Sequence, residues 1–244
     1  MEWSLWEISL AVAAGLLVGF SKTGLPAAGL LLVPIMALLF PARLSVGVLL
    51  PMLILGDTLA IGYYRHYADH RELMRLAPGA LVGMLAGAFF LSQADNAAME
   101  KTIGALVLLA LAFEGLRAVF SKISTDHRLF PWIFGAFAGA TSTMGNAAGP
   151  IISLYLLSRS LSKEAFLGTV AWFFLVVNCL KVPLFVYSGI ITLGGLIFGA
   201  ALIPMILLGG WLGVTVLSRI SQTFFNRLIL ILSAVVGLQL LIGH

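Results

Sequence analysis

GFSKTGLPAAGLLLVP, residues 19–34, sets Lys22 and several small polar residues inside an apolar run that reaches from about residue 8 to residue 40. Far along the chain, GATSTMGNAAGPIISL (139–154) interrupts a second long run, 132–157, and the tripeptide AAG recurs at 27–29 and 147–149. A spanning helix needs about 20 apolar residues, and both runs stand out as long against that measure. A backbone can leave its helix inside hydrocarbon only where the freed N–H and C=O groups find protein or water. Ser21, Thr23, Thr141, Ser142, Thr143 and Asn146 supply hydroxyls and an amide at the two interruptions. Gly24, Gly29, Gly145 and Gly149 permit unusual dihedrals there, and Pro150 suits the first turn of a returning half-helix. The expectation is two re-entrant or broken-helix hairpins, each aiming the positive amino end of a half-helix at the bilayer midplane.

The rest of the chain describes a protein dissolved in lipid. Of 244 residues, 61% are hydrophobic and 10% charged, with a mean hydropathy of +1.08; a soluble domain carries about 25% charge. No polar linker or soluble segment divides it, so one all-α integral membrane domain is expected, multi-pass. The net charge of +4 is read as loop charge that sets orientation, with no nucleic-acid partner implied. The amino terminus MEWSLWEISL is acidic where a signal peptide is basic, and is expected to be retained. The single cysteine, Cys179, excludes an intrachain disulfide or Cys-based metal site. His66 and His70 stand at i, i+4 spacing, with only Asp69 or Glu72 as a third ligand, and are read as part of a solvated basic loop. Neither a metal nor another cofactor is expected.

The other apolar stretches lie at about 46–62, 76–92, 102–120, 165–187, 194–217 and 228–243. Gly15, Gly19 and Ala27-Ala28-Gly29 align with Gly135, Gly139 and Ala147-Ala148-Gly149 at a shift of 120. Pro78, Gly83, Gly87 and Ser92 align with Pro204, Gly209, Gly213 and Ser218 at a shift of 126. Small residues at fixed spacing are common in membrane helices, but two blocks in the same order point to a duplication, 1–125 and 126–244. If the runs 8–40 and 132–157 are hairpins and the other six stretches span, the cytosolic side collects Arg65, Arg71, Arg75, Arg117, Lys122, Arg128, Arg159, Lys163, Arg219 and Arg227. The outside keeps Arg43 and Lys101. Eight straight spans give no bias, so the positive-inside rule favours the hairpins. Each half is then a hairpin plus three spans, and the two are inverted, as in many secondary transporters. Trp3 and Trp6 would anchor the outer interface.

Three ionisable groups fall at membrane depth. A lysine there costs about 3 kcal/mol unless it snorkels or is paired. Lys22 therefore either faces a substrate or reaches an interface or a carboxylate. Asp57 aligns with Asn178 at a shift of 121, and Asn178 shares a helix face with Lys181. The functional reading gives Asp57 a proton-coupling role and Lys181 an anion role, against an Asp57–Lys22 or Asp57–Lys181 pair that only neutralises buried charge. A Ser21–Lys22 nucleophile pair is set aside, because adjacent helical residues do not face each other. With two positive half-helix ends, a lysine and hydroxyls converging, the expected guest is a small anion.

GFSKTGLPAAGLLLVPIMALLFPARLSVGVLLPML, RHYADHRELMRLAPGALVGMLAGAFFL and GAFAGATSTMGNAAGPIISLYLL together resemble the sulfite exporter TauE/SafE family, over nearly the whole length. Lys22-Thr23 and Pro26 depart from that family's usual glycine-rich first motif. The resemblance implies a non-enzymatic transporter in the inner membrane, with sulfite, organosulfonate or a related small sulfur-containing anion as substrate. Substrate contacts are expected from Ser21, Lys22, Thr23, Thr141, Ser142, Thr143, Asn146, Asn178 and Lys181, with Asp57 coupling a proton. A homodimer is compatible with it. The alternatives are a passive anion channel with the same site, an intramembrane enzyme, or a non-transporting assembly factor.

Overall fold

A computed structural model describes residues 3–115, 129–159 and 161–216. Every regular element among them is helical: α1 Leu5–Thr23, α2 Leu32–Leu39, α3 Ala42–Tyr64, α4 His70–Gln93, α5 Asn96–Gly115, α6 Leu129–Gly145, α7 Gly149–Leu157, α8 Lys163–Tyr187, α9 Leu193–Ala201 and α10 Ile203–Val216. Short 3-10 turns, Pro26–Leu31 and Arg65–Tyr67, precede α2 and follow α3. Among these residues five helices are long and apolar enough to cross a membrane, and α9 and α10, bent by 50° at their junction, pass the same test only when taken together. The chain is a multi-pass, all-α membrane protein.

The expected stretches 46–62, 76–92 and 165–187 fall within α3, α4 and α8. The stretch 102–120 ends beyond the described residues, and 228–243 lies wholly outside them. The stretch 194–217 is broken at Leu202. Pro204 supplies the reason, since it has no N–H to give Ala200 and its ring crowds that carbonyl. The helix starts follow from local chemistry. Ser4 and Glu7 form a reciprocal capping box on α1, Asp69 accepts from the Arg71 and Glu72 N–H groups on α4, and Ser162 accepts from Ala165 N–H on α8.

The glycines decide which helices touch. Gly135 and Gly139 of α6 lie against Leu76, Ala80 and Met84 of α4, while Gly83 and Gly87 of α4 lie against Ala136 and Ala140. Gly15 and Gly19 of α1 meet Leu202, Met205 and Ile206 in the same way, and Gly209 and Gly213 of α10 meet Leu16 and Phe20. Gly15–Leu202, Gly19–Ile206, Gly209–Leu16 and Gly213–Phe20 map onto Gly135–Leu76, Gly139–Ala80, Gly83–Ala136 and Gly87–Ala140 when 120 is added to the α1 residue and 126 is subtracted from its partner. In both pairs residue numbers rise together, so the helices run parallel, with backbones close enough that a β-carbon at Gly83 would strike the Ala136 carbonyl. The third long contact is antiparallel: Gly47 near the start of α3 meets Ile190 beyond the end of α8, and Gly168 near the start of α8 meets Tyr64 and Ala68. Large apolar side chains such as Leu85, Phe89, Trp132 and Trp211 are exposed on the outer faces, as lipid contact requires. Trp6 is among them, whereas Trp3 packs on Phe40 and Phe198.

Candidate functional site

Asp57 is the sixteenth residue of α3 and Asn178 the sixteenth of α8. Because the helices are antiparallel, each lies about 24 Å of helix from its own start, and there they meet. The Asn178 amide Nδ2 donates to Asp57 Oδ2 at 2.7 Å. On the other oxygen, Lys22 Nζ stands 2.8 Å from Asp57 Oδ1, and the same ammonium lies 4.2 Å from the centre of the Phe174 ring. Asp57 is fully buried and the Lys22 side chain is 12% exposed. Lys22 therefore reaches a carboxylate, one of the alternatives to a substrate-facing role, and it also lines the cavity between the two hairpin tips.

The second tip is held differently. Asn146, just past α6, has φ 51°, a left-handed conformation that asparagine tolerates better than most residues. It lets the chain reverse while Asn146 N–H bonds to the Ser142 carbonyl and Ala147 N–H to the Thr141 carbonyl. Lys181, with no exposed surface, donates to Ser142 O at 3.0 Å, Ser142 Oγ at 3.1 Å and Asn146 Oδ1 at 2.7 Å. An ammonium has three donors, and these three oxygens take all of them. Asn146 Nδ2 donates in turn to the Val46 carbonyl of α3, 3.1 Å away. Lys181 thus ties the second tip to α8 and, through Asn146, to α3.

Between the tips is a cavity of about 50 Å³. One water needs roughly 10–15 Å³ on such a measure, so the space suits a few waters or one compact oxyanion. Ser21, Lys22, Pro26 and Gly29 line it from the first hairpin, and Ser142, Asn146, Ala147, Gly149 and Pro150 from the second. Asn178 and Phe174 complete the polar and aromatic wall. Pro150 stands in the first turn of α7, whose start has no side-chain cap, so the amino end of this half-helix faces the cavity. At the first hairpin the 3-10 turn Pro26–Leu31 intervenes before α2, and Pro26, Gly29 and Leu30 of that turn line the cavity together with Leu32 and Val33, the first two residues of α2.

Of the ten residues expected to form the site, five line the cavity: Ser21, Lys22, Ser142, Asn146 and Asn178. Asp57 stands directly behind Lys22 and Asn178, and Lys181 behind Ser142 and Asn146. The threonines are turned into the helices. Thr23 Oγ1 bonds to the carbonyls of Gly19 and Gly210, Thr141 Oγ1 to those of Phe137 and Ala138, and Thr143 Oγ1 to that of Gly139. Ser21 Oγ lines the cavity yet donates to the Val18 carbonyl, so it offers lone pairs and no proton. Phe174 was not anticipated; its position four residues before Asn178, on the same face of α8, is the signal that would have found it. Among the described residues no three His, Cys, Asp or Glu side chains form a metal-holding group. His66 instead accepts from Arg65 Nε at 3.1 Å.

At the centre, then, two lysines accompany one aspartate. The model of the family described as sulfite exporter TauE/SafE matches residues 11–240. No curated protein and no solved structure matches the chain. With glycine-patterned hairpins meeting at a buried cationic cavity and a family match over nearly its full length, the chain belongs to the TauE/SafE sulfite exporter family.

Proposed function

We propose that this protein moves a small sulfur-containing oxyanion, sulfite or an organosulfonate, out of the cell by alternating access around the cavity between the two tips. The observation that carries this reading is the charge balance among the described residues: the buried Lys181 and the half-buried Lys22 against the one carboxylate of Asp57, around a space of about 50 Å³. In a low-dielectric interior an excess cation calls for an anion. An oxyanion in the cavity takes donors from Lys22, Asn178 and the amino end of α7. As Lys22 turns toward it, Asp57 loses its counter-ion and takes up a proton, which couples anion movement to a proton gradient. The antiparallel run of α3 and α8, and glycine contacts that recur at fixed shifts, support two inverted halves able to exchange roles on either side of the membrane.

The test must separate transport from charge neutralisation. Lys22→Ala alone strands Asp57 in the interior, a change that costs on the order of 3–5 kcal/mol. Lys22→Ala with Asp57→Asn removes both charges and is expected to restore thermal stability while sulfite flux in proteoliposomes stays at background. Wild-type flux through that double variant would show that the pair only neutralises buried charge, and would take Lys22 out of the mechanism. A current through the wild-type protein that ignores the pH gradient would turn the carrier into a channel.

A further inference from the structure

Away from the centre, one buried carboxylate has no part in the site above. Glu72, in the first turn of α4, is 5% exposed and is held by three side chains. Arg75 Nη1 donates to its Oε1 at 2.6 Å, Arg159 Nε lies 3.3 Å from its Oε2, and Tyr155 Oη donates to the same Oε2. Arg159 Nη2 also donates to Tyr155 Oη at 3.1 Å, and its guanidinium stands 5.0 Å from the Tyr155 ring centre. Among the described residues two cations meet one carboxylate here, as they do at the centre. Tyr155 belongs to α7, five residues beyond the cavity-lining Pro150, or about 8 Å along the half-helix. Arg75, 37% exposed, is the outer member.

The fold does not require these charges. At the shifts that relate the two halves, Glu72 corresponds to Phe198, Tyr155 to Ile35 and Arg159 to Leu39. There the matching junction is apolar: Phe198 stacks on Trp3 with ring centres 5.5 Å apart, meets Phe40 at 5.0 Å, and packs in one cluster with Ile35 and Leu39. The same architecture is closed by aromatic rings at one mouth and by ions at the other.

We propose that Arg75, Arg159 and Tyr155 form a second oxyanion site at the mouth nearer α4, in which the Glu72 carboxylate stands in for the anion until one arrives. This rests on the transport reading, whose charge count puts that mouth in the cytosol. A carboxylate held by two guanidiniums and a phenol has the donor set that a sulfur oxyanion needs. An arriving anion takes over these donors, frees Glu72 and so releases the tie between α4 and the tail of the second hairpin. The aromatic mouth has no such tie and does not respond to anion.

The experiment is sulfite titration by calorimetry on the purified protein, with sulfate as an inert oxyanion, in a Lys22→Ala background. Adding Glu72→Gln is expected to create one oxyanion site per chain, at least tenfold tighter than any binding by Lys22→Ala alone, and adding Arg159→Gln is expected to abolish it. No gain from Glu72→Gln, or a gain that survives Arg159→Gln, overturns the proposal. Failure of the central site shows separately, as undiminished binding by Lys22→Ala alone. If the multiple variants do not fold, Arg75→Ala in the otherwise wild-type protein is expected to raise the KM for sulfite about fivefold with kcat retained; an unchanged KM overturns the proposal as well.

Discussion

The two hairpin tips occupy corresponding places, yet their charges are arranged in opposite senses. At the shifts that relate the halves, Lys22 corresponds to Ser142, Pro26 to Asn146 and Asp57 to Asn178. At the first tip the cation rides on the hairpin and the carboxylate on the long helix, 2.8 Å apart. At the second the cation, Lys181, rides on the long helix and the hairpin offers only neutral oxygens. A lysine with a counter-ion can exchange it for a guest anion. A lysine whose three donors meet three fixed oxygens has nothing to exchange and acts as a strut. In the proposed cycle the first tip is thereby the half that responds, and the second the frame against which it does so.

The comparison breaks most violently at the paired positions 26 and 146. Asn146→Pro would impose a φ near −65° where the chain needs 51°, and would delete the N–H that bonds to Ser142. A loss of about 3 kcal/mol or more is expected, seen as failure to isolate a monodisperse protein. The reciprocal Pro26→Asn is expected to leave the thermal midpoint nearly unchanged. Equal damage from both would mean that the tips are not the different devices described. Next in size is Lys181→Met, which leaves the Asn146 amide oxygen without its Lys181 donor, while the Ser142 carbonyl keeps the Asn146 N–H. Such a loss costs about 1–3 kcal/mol, so a clear drop in thermal midpoint is expected. The Lys22→Ala, Asp57→Asn double variant, which removes a matched pair, is expected to show no comparable drop.

Why some of this was legible in the chain, and some was not, follows from the solvent. Hydrocarbon punishes polar residues, so KTG and TSTMGN at membrane depth carry a strong signal, and the tips that they mark do line one cavity. The alignment of the halves gave Asp57 and Asn178 corresponding places and no contact; that the Asn178 amide donates to Asp57 at 2.7 Å is seen only in the structure. Hydroxyl orientation was not legible, because a threonine in a helix can turn its proton into the preceding turn, and Thr23, Thr141 and Thr143 all do. The break at Leu202 escaped a reading by hydropathy, which does not register a proline's missing N–H. Glu72 looked like part of a solvated loop; its burial depends on Tyr155 and Arg159, which lie some eighty residues further on.

The finest test of the two tips concerns the neighbours Ser142 and Thr143. Ser142 Oγ lines the cavity and accepts from Lys181, so its own proton remains available to a guest. Thr143 Oγ1 donates to the Gly139 carbonyl at 2.8 Å and does not reach the cavity. Removing the first hydroxyl should therefore be felt by the substrate, and removing the second only by the helix. Ser142→Ala is expected to raise the KM for sulfite by roughly tenfold, the equivalent of about 1.4 kcal/mol and of one modest hydrogen bond. Thr143→Val keeps the shape, costs no more than about 1 kcal/mol of stability, and is expected to leave the KM within twofold of wild type. Proteoliposome flux at graded sulfite concentrations reads both values. Were Thr143→Val the more damaging to KM, the hydroxyls facing the anion would be those now turned into the helix, and the second tip would have to unwind during transport instead of serving as the frame.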